Sequence, residues 1–353
     1  MWEYFSSLPL RHRGNIASLG EGNTALVPSL RLGQSLGLRN LYFKLESQNP
    51  TGSYKDRFAS VAISLMREEK RTTILATSSG NTGSALAAYA ARFGVELELY
   101  VLENAPEEKM LQCLAFGARV YKVRKFGICR ETTDQVFHRL QERSRLEGAS
   151  LLISAVCLSP REMEGVKTIS LELCRQLESV PDHVFIPVGG GGLFVECFRG
   201  FDEALRERSV QRMPRLHAVQ PEGCATVSGP LARGCRRAEP VTCTSQISGL
   251  QVANVLDAQQ VLDKVVETHG SGQMVSDDTV YLWQRRMIRE EGIYAEPAGA
   301  TALAGLAAAV EKGLVHPDDQ VVCLVTGNGF KDLKSIQSSV GDATIPLIEV
   351  DSV

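Results

Sequence analysis

The chain has 353 residues, 44% hydrophobic and 22% charged, with a formal net charge of -3. That length can bury a large core, and that balance argues against a disordered chain and against a nucleic-acid partner, which would call for a basic surplus. Nine cysteines without a C-x-x-C pair and six histidines without ligand spacing point away from a secreted disulfide scaffold and from a metal site.

The opening Met1-Trp-Glu-Tyr-Phe-Ser-Ser7 lacks the basic-then-apolar pattern of a signal peptide. No run is long enough to span a bilayer, so a cytoplasmic protein with no membrane partner is expected. The first segment that carries chemistry is Asn49-Pro-Thr-Gly-Ser-Tyr-Lys-Asp-Arg57. Asn-Pro and Thr-Gly are turn chemistry, and Ser53 followed by Asp56 suits a helix start. Lys55 then falls in a first helical turn, where the local positive potential disfavours an ammonium and favours a neutral amine or imine.

Thr72 to Thr77 reads as a buried strand, Ser78-Ser-Gly-Asn-Thr-Gly83 as a loop, and Ser84 to Phe93 as a helix stopped by Gly94. In the segment Thr77 to Gly83, small hydroxyls, glycines and backbone N–H groups at a strand-to-helix junction suit a carboxylate or phosphate. Asn81 adds an amide that could donate to a cofactor oxygen. Leu97 to Leu102 is the next strand, Lys109 to Phe116 a helix ended at Gly117, and Arg119 to Lys125 a basic, solvated strand edge.

The same rhythm returns in the second half. Asp182 to Val188 is a strand running into Gly189, Gly190, Gly191 and Gly192, then a helix from about Leu193. Four glycines let backbone approach a phosphate at a helix N-terminus. No Gly-Lys-Ser/Thr follows, and the G-x-G-x-x-G spacing of a dinucleotide site is missing. Leu216 to Gln220 is another strand, Ser228 to Ser248 a long aperiodic surface loop, and Gln320 to Val325 a late strand. That strand ends in Thr326-Gly-Asn-Gly329, preceded by Glu296-Pro-Ala-Gly-Ala300 opening an Ala-rich helix. Strand and helix in alternation predict parallel sheets covered on both faces, and the number of apolar segments predicts two α/β domains with a cleft between them.

Taken singly, each of these segments is also what an ordinary cap or turn looks like. Their order carries the meaning: a lysine at a helix start, an Asn/Ser/Gly loop, a glycine run and a strand-end hydroxyl. Together they resemble the fold-type-II pyridoxal-phosphate (PLP) enzymes, the group around tryptophan synthase β, and within it threonine synthase and its paralogues. The likeness runs from Gly20-Glu-Gly-Asn-Thr24 through Asn49 to Arg57 and Glu164-Gly-Val-Lys-Thr168 to Gly327-Asn-Gly-Phe-Lys-Asp332.

The resemblance implies two parallel-sheet, three-layer domains with PLP in the cleft. Residues 1–55 plus 157–353 would form a large PLP-binding domain, and 56–156 a smaller mobile domain binding the substrate carboxylate. It implies that Lys55 carries PLP as a Schiff base, that Asn81 contacts the ring hydroxyl, and that Gly189, Gly190, Gly191 and Gly192 hold the phosphate. Thr326 would face the ring nitrogen, and Thr77, Ser78, Ser79, Asn81 and Thr82 would bind the substrate carboxylate. A homodimer is expected by the same likeness.

The chain departs from the threonine synthase pattern in carrying Gly189 to Gly192 where asparagines are usual, Tyr54 for phenylalanine, Phe58 where glycine is common, and Ala25 for proline. The glycine run looks more like serine/threonine dehydratases. The expected function is a PLP-dependent carbon–oxygen lyase of amino-acid metabolism, acting on a small, O-phosphorylated or otherwise activated amino acid at its β or γ carbon. A dehydratase-like or β-replacement enzyme, and a non-catalytic PLP-binding scaffold, are the alternatives. A leaving phosphate would need a cation near the cleft, for which Arg161 and Lys167 are the candidates, though both are expected at the surface.

Overall fold

A computed structural model of the chain describes residues 1–341 apart from Ser79 and Ile128, together with Ile345 and Leu347. Its ten described strands are β1 (Leu26–Pro28), β2 (Asn40–Leu45), β3 (Thr73–Ala76), β4 (Glu96–Val101), β5 (Arg119–Lys122), β6 (Ser150–Leu151), β7 (His183–Pro187), β8 (Arg215–Pro221), β9 (Gly272–Val275) and β10 (Gln320–Val325). They form a six-stranded sheet in the order β1-β2-β10-β7-β8-β9 and a four-stranded sheet in the order β5-β4-β3-β6. All pairings are parallel except the short β1–β2 edge.

Strand alternation sorts the side chains of the larger sheet into two layers. Val321, Cys323 and Val325 of β10, with Phe43, Phe185 and Val219, pack against the helices Asp277–Glu291 and Pro297–Glu311. Val322 and Leu324, with Val184, Ile186 and Ala218, face the helix Gly192–Arg206 through Phe194, Phe198 and Phe201. Continuously apolar strands are what a parallel sheet covered on both faces requires. This second layer is continuous with the smaller sheet. Phe58, Ala62 and Met66 of the helix Lys55–Glu69 lie in one buried cluster with Ile74, Leu86 and Leu99. Lys55 therefore stands at the head of a helix that packs into both halves.

Three sequence expectations need correcting. Ser53 and Asp56 do not make a reciprocal cap: the Asp56 carboxylate turns back to accept from the Thr51 N–H (3.2 Å) and hydroxyl (2.8 Å), and the Lys55 helix starts with no side-chain cap. The segment 228–248 is not all loop. It opens with a buried helix, Ser228–Ala232, because the Gln220 side chain on β8 accepts from the Val227 and Ser228 N–H groups at 2.8 and 2.9 Å. Finally, the helix expected over 109–116 divides into a 3-10 turn, Glu107–Lys109, and a short helix, Leu111–Ala115. The basic stretch from Arg119 does lie on an edge strand, where Arg119 pairs with Glu96 and Glu98.

Candidate active site

The Lys55 turn is laced to the turn after β10. The Tyr54 N–H donates to the Thr326 carbonyl at 3.1 Å, and the Asn328 N–H to the Gly52 carbonyl at 2.9 Å. Lys55 Nζ leaves this junction and donates to Ser154 Oγ at 2.8 Å. Ser154 Oγ shares a second hydrogen bond with Thr82 Oγ1 at 2.8 Å. Burial pushes the Lys55 amine down to about 7, against the opposing pull of Asp257 and Glu296. Near neutral pH a large fraction of it is therefore unprotonated, which a nucleophile or proton acceptor requires.

Asn81 opens the helix Asn81–Phe93, and its Nδ2 donates to Glu296 Oε1 at 2.8 Å. Glu296 caps the helix Pro297–Glu311, its N–H donating to the Gly327 carbonyl at 3.1 Å. A Cβ on Gly327 would lie 2.0 Å from Glu296 Oε1, so only glycine lets this carboxylate in. Thr326, beside it, is buried. In the loop ahead of Asn81, Thr77 and Ser78 are half-buried, and Ser78 Oγ accepts from the Gly80 N–H at 3.3 Å. Ser79 lies outside the described residues.

The run Gly189 to Gly192 enters the helix Gly192–Arg206, with Gly191 at φ +106°. A Cβ on Gly189 would lie 2.7 Å from the Gly249 carbonyl and one on Gly191 2.8 Å from Val261 Cγ2. Asp257 ties this loop to the segment that carries Ser154. Its N–H donates to the Gly190 carbonyl at 3.0 Å, while its carboxylate accepts from the Val156 and Cys157 N–H groups at 2.7 and 2.8 Å.

The structure thus links Lys55 to Thr82, Asn81 to the Thr326 turn, and the glycine run to the Lys55 partner Ser154. Sequence reasoning missed Ser154 and Asp257 altogether, and read Glu296 only as part of a helix opening. Ser154 follows a short apolar strand, as Thr77 and Thr326 do, and that strand-end position was its one available signal. Arg161 and Lys167 are both engaged by carboxylates. Arg161 pairs with Glu69 at 2.7 Å. Lys167 is not the surface residue expected: it is buried between Glu164 (3.1 Å) and Glu203 (2.9 Å).

The donor set suits a phosphorylated pyridine aldehyde. It offers an amine of lowered basicity, a backbone cradle whose close approaches exclude Cβ atoms at a helix N-terminus, and an amide and a buried hydroxyl flanking the amine.

Comparison with known proteins agrees with this geometry. Residues 17–327 match the family described as pyridoxal-phosphate dependent enzyme. The threonine synthase of Methanocaldococcus jannaschii is 32% identical over 335 residues, 94% of this chain and 80% of that one. The threonine synthase of Bacillus sp. strain ULM1 is 33% identical over 331 residues, 94% of this chain and 89% of that one. Among solved structures, the processed form of threonine deaminase isoform 2 from Solanum lycopersicum superimposes with a TM-score of 0.74 at 24% identity, covering 97% of this chain and 89% of that one.

Proposed function

The chain belongs to the pyridoxal-phosphate dependent enzyme family, and from that membership we propose that it is an amino-acid lyase of the threonine synthase type, with Lys55 as its catalytic residue. Bound PLP supplies an electron sink that makes the α-proton of an amino acid removable. The chain's own groups then have distinct tasks. Lys55 Nζ takes the α-proton, held in place by Ser154, which is held in turn by Thr82. The N–H groups and hydroxyls of Thr77, Ser78, Ser79, Asn81 and Thr82 take the substrate carboxylate at a helix N-terminus. Gly189, Gly190, Gly191 and Gly192 take the cofactor phosphate, Asn81 the ring hydroxyl, and Thr326 the ring nitrogen. Thr326 would offer that nitrogen a neutral hydroxyl in place of a charged partner, a setting suited to elimination or replacement more than to transamination.

The substrate of this reading is a small amino acid carrying an oxygen leaving group, phosphate for a synthase of this type, at its β or γ carbon. A second reading, a serine/threonine dehydratase-like or β-replacement enzyme, is supported by the engagement of Arg161 and Lys167 with carboxylates. Residues 1–55 plus 157–353 are proposed as the large domain and 56–156 as the smaller one, in keeping with a four-stranded sheet drawn from residues 73–151. A cytoplasmic homodimer completes the proposal. Among the described residues no helix is long and apolar enough to cross a membrane, and all nine cysteines are free.

The observation that carries the proposal is the half-buried Lys55 side chain, its amine lowered by desolvation to about 7 and directed at Ser154. The test is the visible absorption spectrum of the purified protein, recorded before and after adding O-phosphohomoserine, O-phosphoserine, O-acetylserine, serine and threonine. A yellow protein whose band shifts with one of them supports the reading and names the substrate class. A protein that stays colourless after incubation with PLP overturns it.

A further inference from the structure

Lys331 lies five residues beyond Thr326, on a 3-10 turn, Gly329–Lys331. The backbone of this turn is anchored to the side of the cleft that carries the large sheet. The Gly329 N–H donates to the Tyr294 carbonyl at 3.0 Å, and the neighbouring Asn328 N–H reaches Gly52. The side chain crosses to the other side. Nζ donates to Ser84 Oγ at 2.8 Å, on the helix Asn81–Phe93, and to Gln112 Oε1 at 2.7 Å, on the helix Leu111–Ala115. Gly52, at φ +87°, leaves room for the stem: a Cβ there would lie 3.4 Å from Lys331 Cε.

Both acceptors are neutral, and among the described residues no carboxylate lies within ion-pair distance of Lys331. Burial lowers its basicity against the longer-range pull of Glu296 and Asp56. An apolar side chain of similar length would fill the same space without desolvating an amine. What the amine adds is direction. Ser84 Oγ, which accepts from Lys331, itself donates to the Asn81 carbonyl at 3.2 Å. A chain of hydrogen bonds therefore runs from the Thr326 turn through Lys331 and Ser84 into the residue that faces Glu296.

We infer that Lys331 is a positioning residue, whose amine fastens the helices Asn81–Phe93 and Leu111–Ala115 to the Thr326 turn and so holds Asn81 and Thr82 in place opposite Lys55. The inference rests on the assignment of Asn81 and Thr82 to the cofactor and substrate site. Two charge-assisted hydrogen bonds are lost together in Lys331→Met, enough to loosen a short helix by tenfold or more in its opening equilibrium.

The test is hydrogen exchange of the PLP-loaded protein, followed by mass spectrometry, in wild type, Lys331→Met and Lys331→Arg. Exchange in the peptides covering 81–85 and 111–115 should quicken at least tenfold in Lys331→Met and be partly restored in Lys331→Arg, with β7, β8 and β10 unchanged. In a titration with L-serine or O-phosphohomoserine, whichever shifts the wild-type band, Lys331→Met should need roughly tenfold more ligand, while the unliganded band stays where it is. Unchanged exchange in both peptides overturns the inference, and so does a uniform rise across the six-stranded sheet, which would mean plain loss of stability. If no amino acid shifts the wild-type band, the proposed function fails, and the exchange result still decides the role of Lys331.

Discussion

Asn81 and Glu296 meet across the cleft, amide to carboxylate at 2.8 Å, although 215 residues separate them in the chain. The pair fixes which way the Asn81 amide points, and it keeps a negative charge facing Lys55. That charge raises the Lys55 pKa, against the larger lowering by burial. Glu296→Gln keeps an acceptor for Asn81 and removes the charge, so the Lys55 amine should lose its proton at lower pH. The rate at which the apoprotein takes up PLP, which needs the free amine, should be half-maximal near pH 7 in the wild type. In the variant the midpoint should move to lower pH. A midpoint that stays put or rises means that Glu296 does not act on Lys55.

Lys55→Ala should abolish turnover, by at least the ~10²–10⁴-fold expected of a lost general base, and should remove the spectral signature of lysine-bound cofactor. The same change takes away an amine whose charged form is disfavoured by desolvation, so urea unfolding should find the apo variant no less stable than the wild type. Activity that persists in a protein shown by mass to carry the substitution would contradict the assignment of Lys55.

The positions of Lys55, Asn81 and the glycine run were legible because their signals are local. A turn followed by a helix start, or four glycines between strand and helix, can be read within ten residues. Ser154, Asp257 and Lys331 gave no such signal, since their meaning lies in distant partners. Asp257 works by accepting from a backbone 101 residues earlier, and Lys331 by reaching a helix 247 residues away. The helix Ser228–Ala232 was missed for a different reason: its N–H acceptor, the Gln220 side chain, is only seven to eight residues back but sits inside the preceding strand, where no capping residue is looked for. The parallel sheets were legible from the short apolar runs Val184–Ile186 in β7 and Val321–Val325 in β10, each ending in a glycine turn, whereas the conversion of Lys167 from surface residue to buried ion-pair partner depended on Glu203, 36 residues on.

Arg57, two residues beyond Lys55, anchors a buried ionic cluster under the site. It donates to Glu46 at 2.7 and 2.8 Å and to Glu172 at 2.7 and 2.8 Å, and Lys44 adds a bond to Glu172 at 2.7 Å. Arg57→Met would leave Glu46 with no cation bonded to it, and Glu172 with Lys44 at 2.7 Å and the more distant Met1 ammonium at 3.8 Å. A cost of about 3–5 kcal/mol is expected, read as a fall in the urea midpoint with an unchanged slope. A loss below about 1 kcal/mol, the scale of an exposed pair, would mean that the cluster relaxes or takes in water. Arg57→Lys should recover only part of the loss, because one ammonium cannot serve both carboxylates in the same forked geometry.

His183 and His217 form a buried relay on β7 and β8, at the opposite end of the sheet from the glycine run. His183 Nε2 meets Asp319 Oδ2 at 3.0 Å, His183 Nδ1 meets His217 Nε2 at 2.8 Å, and His217 Nδ1 meets Ser271 Oγ at 2.7 Å. With both rings neutral every nitrogen is satisfied: the Ser271 hydroxyl donates to His217, His217 to His183, and His183 to Asp319. Two imidazolium rings cannot share the central contact, because each would present an N–H to the other. Burial lowers His217 to about 3, and it lowers His183 as well. A base with a lowered folded pKa binds fewer protons folded than unfolded below its ordinary value near 6.5, so stability rises with pH through that window. Stability should therefore be complete above about pH 6.5 and decline as pH falls toward 3, with a limiting slope of about 1.4 kcal/mol per pH unit for each histidine held neutral. The measurement is the urea midpoint between pH 4 and 8 in wild type and in His217→Gln. The variant removes one titrating group, so its acid limb should be shallower than that of the wild type. Equal slopes would place the acid sensitivity elsewhere, in carboxylates such as Glu172, whose pKa is also lowered in the fold.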